Sequence, residues 1–412
     1  MTAIRAVPIL RDPAFGRLWF VQASTQIGGN MALYALTILV FATTRSNAAV
    51  SALVMSFLIP TILLSAVAGV LVDRLDVRWA LIGPNLVRTL LTLGLALAGT
   101  NVALLLILNL GISLTTVVLT PAEAAMIPRI VPTPQLETAM GIFNLTLQAS
   151  FAVGFAFLGP LLVTIAGPSF VLGVVTLFYA AATLATVGLP SAPPVEAEPG
   201  VASRAIHEPA RQLREGLDAI GGNREVSRPL MHLAASASLV GVIGVLGPNL
   251  ASTLGLDPKD LIVVVLPLGL GRFGARLSRR RSGEGGLIAF GLLAVGISLV
   301  GPFARMAGVP VIPPVVALAF CAGAAYAATT VSAQTALFEN MPAAVRGRVF
   351  GVLASIVSAS SLVPILIAGP LADTISGPIV IAITATGVIL AAIWSATMFG
   401  PRAGIERVGA TD

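Results

Sequence analysis

Long apolar stretches separated by short polar connections make up most of this sequence. A bilayer core of roughly 30 Å needs about 20 apolar residues per helix. Twelve stretches of about that length lie at residues 18–42, 48–72, 79–98, 102–126, 137–162, 169–189, 229–253, 260–277, 286–304, 311–337, 349–370 and 378–399. Segments of about ten residues with alternating polarity, which would indicate a membrane β-barrel, are not visible. The pattern predicts an all-α membrane protein with twelve transmembrane helices.

The chain repeats itself at an offset of 210 residues. The offset pairs Pro132 with Pro342, Gly141 with Gly351, the Gly-Pro-Leu of 159–161 with that of 369–371, and the Gly-Pro of 167–168 with that of 377–378. Because each copy is six spans long, both copies keep the same orientation, and such repeats are related by an axis along the membrane normal. We expect two six-helix halves related by a parallel pseudo-twofold, at residues 1–189 and 229–412.

The linker between the halves, residues 190–228, has two parts. Residues 190–199 are rich in Pro and Ala, which is typical of a connecting segment. Apolar residues then recur at helical spacing, with charged residues on the other side: Ile206, Ala210, Leu213, Leu217 and Ile220 against Arg211, Arg214, Glu215 and Asp218. This pattern predicts a short amphipathic helix on the membrane surface. A soluble linker helix is the alternative.

The composition excludes most other classes of protein. Hydrophobic residues are 56% of the chain and charged residues 10%, whereas soluble domains are about one-quarter charged. Disorder is excluded because disordered chains are poor in apolar residues. One Cys and two His leave no disulfide framework and no zinc cluster. We expect no cofactor and no resident metal.

The basic residues are sorted to one side of the predicted helices. If the N-terminus is cytoplasmic, eighteen of the 24 Lys and Arg residues fall in inside segments, and only Arg45, Lys259 and Arg305 fall outside. This bias predicts a multi-pass protein of the cell inner membrane with both termini cytoplasmic. It also explains the net charge of +6 through anionic lipid headgroups rather than nucleic acid. No cleavable signal peptide is visible, so we expect the first span to direct insertion. A monomer is expected.

Polar residues recur at helical spacing within four of the predicted spans. They form one-sided stripes in spans one, four, five and ten: Gln22, Gln26 and Asn30; Asn109, Ser113, Thr116 and Thr120; Asn144 and Gln148; Tyr326, Thr330 and Gln334. Such stripes are typical of helices that line a water-filled central cavity and contact a substrate. Hydrogen bonds between helices use the same residue types and are the alternative.

Ionisable residues inside spans are candidates for functional roles such as proton binding. Burying each one costs at least a few kcal/mol, so such residues are rare without a function. Arg88 lies in span three, Glu123 near the inner end of span four, and Arg272 in span eight. A buried carboxylate whose surroundings change can bind and release a proton. Glu123 is the candidate, with Arg88 as its counter-charge. A structural ion pair, or snorkelling to the cytoplasm, is the alternative.

Several motifs resemble the major facilitator superfamily, and within it the drug:proton antiporter branch that includes macrolide and siderophore exporters. The resemblance covers nearly the whole chain. It rests on residues 10–19, on the signature loop at 69–78 (Gly-Val-Leu-Val-Asp-Arg-Leu-Asp-Val-Arg), on residues 121–136, on the Gly-Pro element at 154–160, and on residues 334–351. The loop at 69–78 is the strongest of these motifs.

The resemblance implies roles for several of these residues. Asp73 would lock the two halves together on the inside, near Arg346 and Arg348 at the start of span eleven. The residues themselves add that Gly69 allows close backbone approach and that Arg74 and Arg78 hold the loop at the headgroups. The alternative is that the loop residues are ordinary positive-inside anchors. In span five, Gly159 and Pro160 would let the helix bend, and a purely architectural role is the alternative.

We therefore expect a secondary transporter and not an enzyme. No phosphate-binding glycine loop with Lys is present, and no nucleophile–base pair stands out in the sequence. The expected activity is efflux of small amphipathic compounds by proton antiport through alternating access. The expected partners are a small-molecule substrate, protons and membrane lipid. A metabolite uniporter or importer without proton coupling, and a transport-inactive scaffold or sensor, are the alternatives.

Overall fold

The computed structural model describes residues 9, 11–193, 224–274, 283–339 and 346–399. The amphipathic helix predicted at 206–220 lies outside the described residues. Within the described part, twelve long helices follow one another along the chain. Their bounds are α1 Pro13–Thr44, α2 Asn47–Asp73, α3 Val77–Leu97, α4 Val102–Ile130, α5 with three consecutive segments (Leu136–Ser150, Phe151–Leu158 and Gly159–Ala166), α6 Pro168–Val187, α7 Arg224–Thr253, α8 Ile262–Gly274, α9 Gly283–Ala307, α10 Ile312–Glu339, α11 Arg346–Thr374 and α12 Gly377–Phe399.

Each of the twelve predicted spans falls on one of these helices, which confirms the predicted fold class. In the described part of the chain, ten helices are long and apolar enough to cross a membrane, and α11 contributes the shorter apolar segment Ala359–Thr374. The described part of α8 has 13 residues. Large apolar side chains such as Leu63, Leu97 and Met306 are exposed on the outside of the bundle, as expected for a surface that faces lipid.

Helix packing follows the internal repeat. In the first half, α1 packs on α5 and α6, α4 packs on α2 and α3, and α3 packs on α6. Adding six to each number gives the pairs of the second half: α7 with α11 and α12, α10 with α8 and α9, and α9 with α12. The contacts between the halves obey the same rule, because α2 packs on α11 while α5 packs on α8. This correspondence is the pseudo-twofold of the predicted fold.

Short connections join consecutive helices at two opposite ends of the bundle. One end carries the connections 45–46, 98–101, 167, 254–261, 308–311 and 375–376, and we call it the Asp373 face. The other end carries the connections 74–76 and 131–135 and the segment 188–193, and we call it the Asp76 face. Ser46, Asp76 and Asn101 cap the helices that follow them, because their side-chain oxygens accept hydrogen bonds from first-turn amides.

Helix α5 changes its hydrogen-bonding pattern in the middle of the membrane. Phe151–Leu158 is π-helical, and the Gly159 amide donates to the carbonyl of Gly154, five residues earlier. Pro160 follows and has no amide hydrogen, so the regular α-helical pattern cannot run unbroken through this point. Gly154 lies against α1, where an added Cβ would come within 2.5 Å of the Ile27 carbonyl oxygen. The Gly-Pro element thus coincides with a wider helical turn that sits directly on α1.

We predict that Gly154→Ala destabilises the first half. A methyl group at this position would lie 2.5 Å from the Ile27 oxygen and 2.8 Å from Asn30 Cβ, so α1 and α5 must separate. Overpacking of this kind costs about 1–3 kcal/mol. Unfolding of the purified protein by SDS titration measures the loss. Gly141→Ala on the same helix, where no atom lies within 4 Å of the added Cβ, is the control and should be neutral. Equal stability of the two variants would contradict the packing argument.

Candidate functional site

A cavity of about 180 Å³ lies between the two halves. Its walls come from α1, α2 and α5 of the first half and from α7, α8, α10 and α11 of the second half. The lining residues are Leu33, Thr37, Val54, Phe151, Phe155, Ala156, Val240, Gly241, Ile243, Gly244, Val245, Gly247, Leu250, Leu261, Val264, Val265, Leu268, Gly269, Tyr326 and Ile365. None of these residues is Asp, Glu, Lys, Arg or His. The cavity is therefore an apolar chamber that both halves share.

Aromatic rings form one wall of this cavity. The π-helical turn of α5 places the Phe151 and Phe155 rings in a stack, with centroids 5.1 Å apart and planes 13° from parallel. Tyr34 from α1 meets Phe155 edge-on at 5.5 Å. On the other side, Phe290 packs against Tyr326 at 5.5 Å. Phe151 and Phe155 are four residues apart and therefore lie on the same side of α5, where both line the cavity.

The two halves are joined at the Asp373 face by one carboxylate. Asp373 lies near the end of α11, and its Oδ1 accepts hydrogen bonds from the Asn47 amide at 2.7 Å and from Asn47 Nδ2 at 2.8 Å. Its Oδ2 accepts from Ser46 Oγ at 2.7 Å and from the Ala48 amide at 3.0 Å. These donors form the first turn of α2, where the helix dipole favours a negative charge. We call this arrangement the Asp373 clamp.

Further contacts between the halves lie on the same side of the cavity. Ser51 Oγ of α2 donates to the Ile365 carbonyl of α11 at 2.7 Å. An added Cβ at Gly369 would lie 2.4 Å from the Asn47 carbonyl oxygen, so only glycine allows this approach. The Lys259 carbonyl accepts from Tyr34 and Thr164 hydroxyls at 3.4 Å each. The hydrogen bonds that the described residues show between the halves thus lie towards the Asp373 face.

The predicted lock residue Asp73 lies on the opposite face. It is the last residue of α2, its side chain is exposed, and it makes no hydrogen bond or ion pair with the part of the chain that the structure describes. Arg74 caps α2 through its backbone and its side chain is exposed, while an added Cβ at Gly69 would meet no atom within 4 Å. Helix α11 begins at Arg346, but the side chains of Arg346 and Arg348 lie outside the described residues. The inner lock remains a prediction.

A second carboxylate of the same loop, Asp76, holds the segment 188–193. Its carboxylate accepts from Ser191 Oγ, from the Ala192 amide at 3.1 Å and from the Arg78 amide at 2.9 Å. Burial alone would raise the pKa of Asp76, but these hydrogen bonds and the Arg78 charge together hold the pKa below its usual value. The Val77 amide also donates to the Ala192 carbonyl at 3.0 Å.

Three arginines of the first half bind the same segment. Arg78 donates to the Val187 carbonyl, and Arg17 donates to the Gly188 carbonyl. Arg129 Nη1 donates to the Ala192 and Pro193 carbonyls at 2.6 and 2.7 Å. We call residues 187–193, with these contacts, the strap. The role of Asp76 and Arg129 in holding the strap was not predicted from the sequence, because their partners in the strap lie at least 63 residues away along the chain and most of them are backbone groups.

Two residues of the span-four stripe join α4 to α2. Asn109 Nδ2 donates to the Leu53 carbonyl at 3.1 Å and to Ser56 Oγ at 2.9 Å. Ser113 Oγ donates to the Phe57 carbonyl and lies 3.3 Å from the Thr61 hydroxyl. Both residues are buried. Their contacts are the interhelical hydrogen bonds that were the alternative interpretation of this stripe.

The other predicted cavity residues occupy varied surroundings. Gln22 is buried and donates to the Phe143 carbonyl at 3.3 Å, which joins α1 to α5. Asn30 donates to the Gln26 carbonyl, and Thr330 to the Tyr326 carbonyl, so these pairs stay within one helix. Tyr326 is the member of the predicted set that lines the cavity. Four further members have exposed side chains: Thr120, Asn144, Gln148 and Gln334.

Arg88 and Glu123 are both buried in the first half, but they do not form an ion pair within 4.0 Å in the described part of the structure. Arg88 donates to the Thr116 hydroxyl of α4, and its guanidinium carbon lies 4.8 Å from the ring centre of Tyr179 on α6. Tyr179 in turn packs on Gly28 of α1, where an added Cβ would lie 3.1 Å from Tyr179 Cε1. Arg88 thus ties α3, α4 and α6 together. The side chain of Arg272 lies outside the described residues.

The second half contains a polar cluster that sequence reasoning missed. His232 Nε2 of α7 lies 3.1 Å from Ser395 Oγ of α12, and that hydroxyl lies 3.5 Å from Glu284 Oε1 of α9. Arg228 Nε donates to the same Glu284 oxygen at 2.8 Å. The cluster joins three helices near the Asp76 face. Its only sequence signal is that His232, Arg228 and Glu284 are ionisable residues at the ends of predicted spans.

Comparison with known proteins gives a consistent result. The family model described as Major Facilitator Superfamily matches residues 18–363. A search of curated protein sequences finds no match. Among solved structures, the chain is similar to the nucleoside transporter NupG, with 15% identity, TM-score 0.69, and coverage of 94% of this chain and 99% of that one.

Structures of POT family transporters are similar to about the same extent. A POT family transporter in complex with 5-aminolevulinic acid has 13% identity and TM-score 0.68, covering 94% of this chain and 96% of that one. The POT family transporter PepTSo has 14% identity and TM-score 0.66, covering 94% of this chain and 97% of that one. At these identities the likeness concerns the fold.

We predict that Asp373→Asn weakens the joint between the halves. Asparagine places an NH₂ group against donors, so at least two of the four hydrogen bonds are lost. We expect the free energy of unfolding to fall by about 1–2 kcal/mol, the low end for charged hydrogen bonds, because the carboxylate is exposed. Unfolding of the purified protein by SDS titration measures this fall in the free energy of unfolding. Asp260→Asn on the same face is the control. No difference between the two variants would count against the clamp.

We predict that Asp76→Asn loosens the strap. The Ala192 amide loses a charged acceptor, so its opening becomes easier by about 1.4 kcal/mol, or tenfold in amide hydrogen exchange. Exchange of peptides that cover 188–193 is followed by mass spectrometry at neutral pH. Asp73→Asn, three residues away and exposed, should leave exchange of these peptides unchanged. If both variants behave alike, Asp76 does not hold the strap.

Proposed function

The chain belongs to the major facilitator superfamily, and from that premise we propose that it exports small amphipathic compounds by proton antiport. Transport is by alternating access of the cavity between the halves, as in the drug:proton antiporter branch that its motifs resemble. The halves are residues 1–189 and 229–412, with the linker 190–228 between them. The protein works as a monomer in the inner membrane, with both termini in the cytoplasm.

The position of the cavity relative to the Asp373 clamp carries this proposal. The cavity is lined by both halves, so any substrate in it contacts helices that move relative to each other during alternating access. The clamp joins α2 to α11 on one side of it. We assign the Asp373 face to the periplasm, because the Asp76 face carries Arg74, Arg78 and Arg129. In this arrangement the periplasmic side is held closed.

Asp73 of α2 and Asp373 of α11 then act in alternate states of the transport cycle. Asp373 joins the halves at the periplasmic face while the cytoplasmic side is open. Asp73, which is exposed in this state, contacts the start of α11 near Arg346 and Arg348 when the cytoplasmic side closes. In the state in which it is engaged, each carboxylate meets the first turn of a helix from the other half, where the helix dipole favours a negative charge. The motif loop and the clamp are therefore the two gates of one cycle.

Proton coupling is assigned to Glu123. It is a buried carboxylate on α4, 7% exposed, and Arg88 nearby on α3 is already held by Thr116 and Tyr179. A carboxylate without a tight ion pair can lose and regain its proton as its surroundings change. Arg88 and Arg272 supply positive charge in the spans. The exposed side chains of Thr120, Asn144, Gln148 and Gln334 contact water and substrate on the path from the cytoplasm.

Similar folds favour one alternative, transport of a nucleoside or a peptide, since NupG is a nucleoside transporter and a similar POT structure is that of a peptide transporter. Flux assays in proteoliposomes, with and without a pH gradient, separate the possibilities. The substrates are taken from drug-susceptibility profiling in an efflux-deficient host, with uridine and a dipeptide added. Gradient-driven efflux supports the proposal. Gradient-independent flux supports a uniporter, and no flux with any compound supports a scaffold.

We predict that Glu123→Gln uncouples transport. The amide cannot bind and release a proton in this range, so gradient-driven flux should fall at least tenfold while exchange without a gradient persists. Both rates are measured in the same proteoliposomes from pH 6 to 8. Glu137→Gln, an exposed carboxylate on α5, is the matched control and should transport normally. Wild-type gradient-driven flux in Glu123→Gln would remove Glu123 from the coupling mechanism.

A further inference from the structure

We propose that the cavity between the halves binds neutral aromatic molecules of one or two fused rings and excludes organic cations and anions. The inference rests on the proposed transport function and narrows its substrate class. It follows from three properties of the cavity: the charge of its lining, the arrangement of its rings and its volume. A fourth, the Thr37 hydroxyl, sets which polar substituent the molecule carries.

The uncharged lining of the cavity disfavours the binding of ions. None of the lining residues carries a formal charge, and the buried ionisable residues Arg88 and Glu123 are not among them. Moving an ion from water into apolar surroundings costs several kcal/mol unless an opposite charge is beside it. Among the described residues that line the cavity, a cation finds no carboxylate and an anion finds no guanidinium. A neutral molecule does not incur this cost.

The ring arrangement favours a flat aromatic partner. Phe151 and Phe155 stack with planes 13° from parallel, and Tyr34 meets Phe155 edge-on. Aromatic pairs in such geometries contribute about 0.5–1.5 kcal/mol beyond area burial. Small residues also line the cavity, with Gly241, Gly244 and Gly247 along α7. They leave room for a flat ring to pack against the aromatic wall.

The volume sets the size of the molecule. The cavity measures about 180 Å³. An apolar cavity of about 150 Å³ in another protein binds benzene, so this one accommodates one ring with substituents or two fused rings. The enclosed part of the cavity therefore suits a small flat ring.

Thr37 offers one polar contact inside the cavity. Thr37 lines the chamber and is buried, with 3% of the residue exposed. A hydroxyl can both donate and accept a hydrogen bond, so a phenol, amide or ketone on the substrate can pair with it. The preferred molecule is therefore a neutral aromatic ring with a single uncharged polar substituent.

Three naphthalene probes with the same ring and different charge test the class. They are 2-naphthol, 2-naphthyltrimethylammonium and 2-naphthoate, titrated calorimetrically at pH 7 into the purified full-length protein in detergent. We expect 2-naphthol to bind with a dissociation constant at least tenfold lower than those of both ions. Equal or tighter binding of either ion would overturn the proposal, and so would the absence of binding by all three.

Glycine variants locate the binding site. An added Cβ at Gly244 meets no atom within 4 Å, so Gly244→Leu fills the cavity without a clash at Cβ. We expect it to weaken 2-naphthol binding at least tenfold. Gly173→Leu on α6, which also has open space but lies away from the cavity, is the matched control and should bind normally. Unchanged binding in Gly244→Leu would place the site elsewhere.

A gain of function supplies an independent test. Thr37→Asp puts a carboxylate into the chamber. The variant should therefore bind 2-naphthyltrimethylammonium at least tenfold more tightly than the wild-type protein does, and it should bind 2-naphthol more weakly. Unchanged binding of the cation would contradict the charge argument.

Failure of this inference and failure of the proposed function are distinguishable. Gradient-driven flux of an ion without 2-naphthol binding overturns only the substrate class; 2-naphthol binding without flux of any compound overturns only export.

Discussion

The absence of water in the membrane core is the constraint on which this structure depends. Backbone and side-chain polar groups there must find partners inside the protein, and apolar burial adds little when lipid is already apolar. The helices therefore associate through close packing and hydrogen bonds. Gly154 brings α5 onto α1, Gly369 brings α11 onto α2, and Ser51 crosses between the halves to a carbonyl of α11. The cavity is the place where this packing is left incomplete.

The same constraint explains how much the sequence could predict. An apolar run of about 20 residues has one favourable solution in a bilayer, so all twelve helices and their two-half arrangement followed from hydropathy and the internal repeat. The partners of individual polar residues did not. Asn109 bonds to α2 because of how α4 crosses it, and hydropathy carries no information on that crossing. Nor does a Gly-Pro element alone indicate that the preceding turn is π-helical and places two Phe rings in a stack. The assigned roles of Asp73 and Glu123 stay predictions.

Charged residues at the membrane faces have more than one structural task. The positive-inside pattern treats arginines as anchors to lipid headgroups, yet Arg17, Arg78 and Arg129 also bind carbonyl groups of the strap. Asp76 lies only three residues from Asp73 in the same motif loop, but it caps α3 and accepts from the strap, whereas Asp73 is exposed. The start of the linker is therefore attached to the first half at several points, and a movement of that half carries the strap with it.

The geometry of the Asp373 clamp determines how its hydrogen bonds break when α2 and α11 separate. One carboxylate accepts four hydrogen bonds from three consecutive residues, and two of the donors are backbone amides of a rigid helical turn. Such donors cannot leave one by one, because the turn moves as a unit. Separation of α2 from α11 therefore breaks both amide contacts in the same step, whereas the Ser46 and Asn47 side chains can rotate independently. In the proposed transport cycle, the backbone part of the clamp is thus a contact with two positions, made or broken, and not a joint that widens gradually.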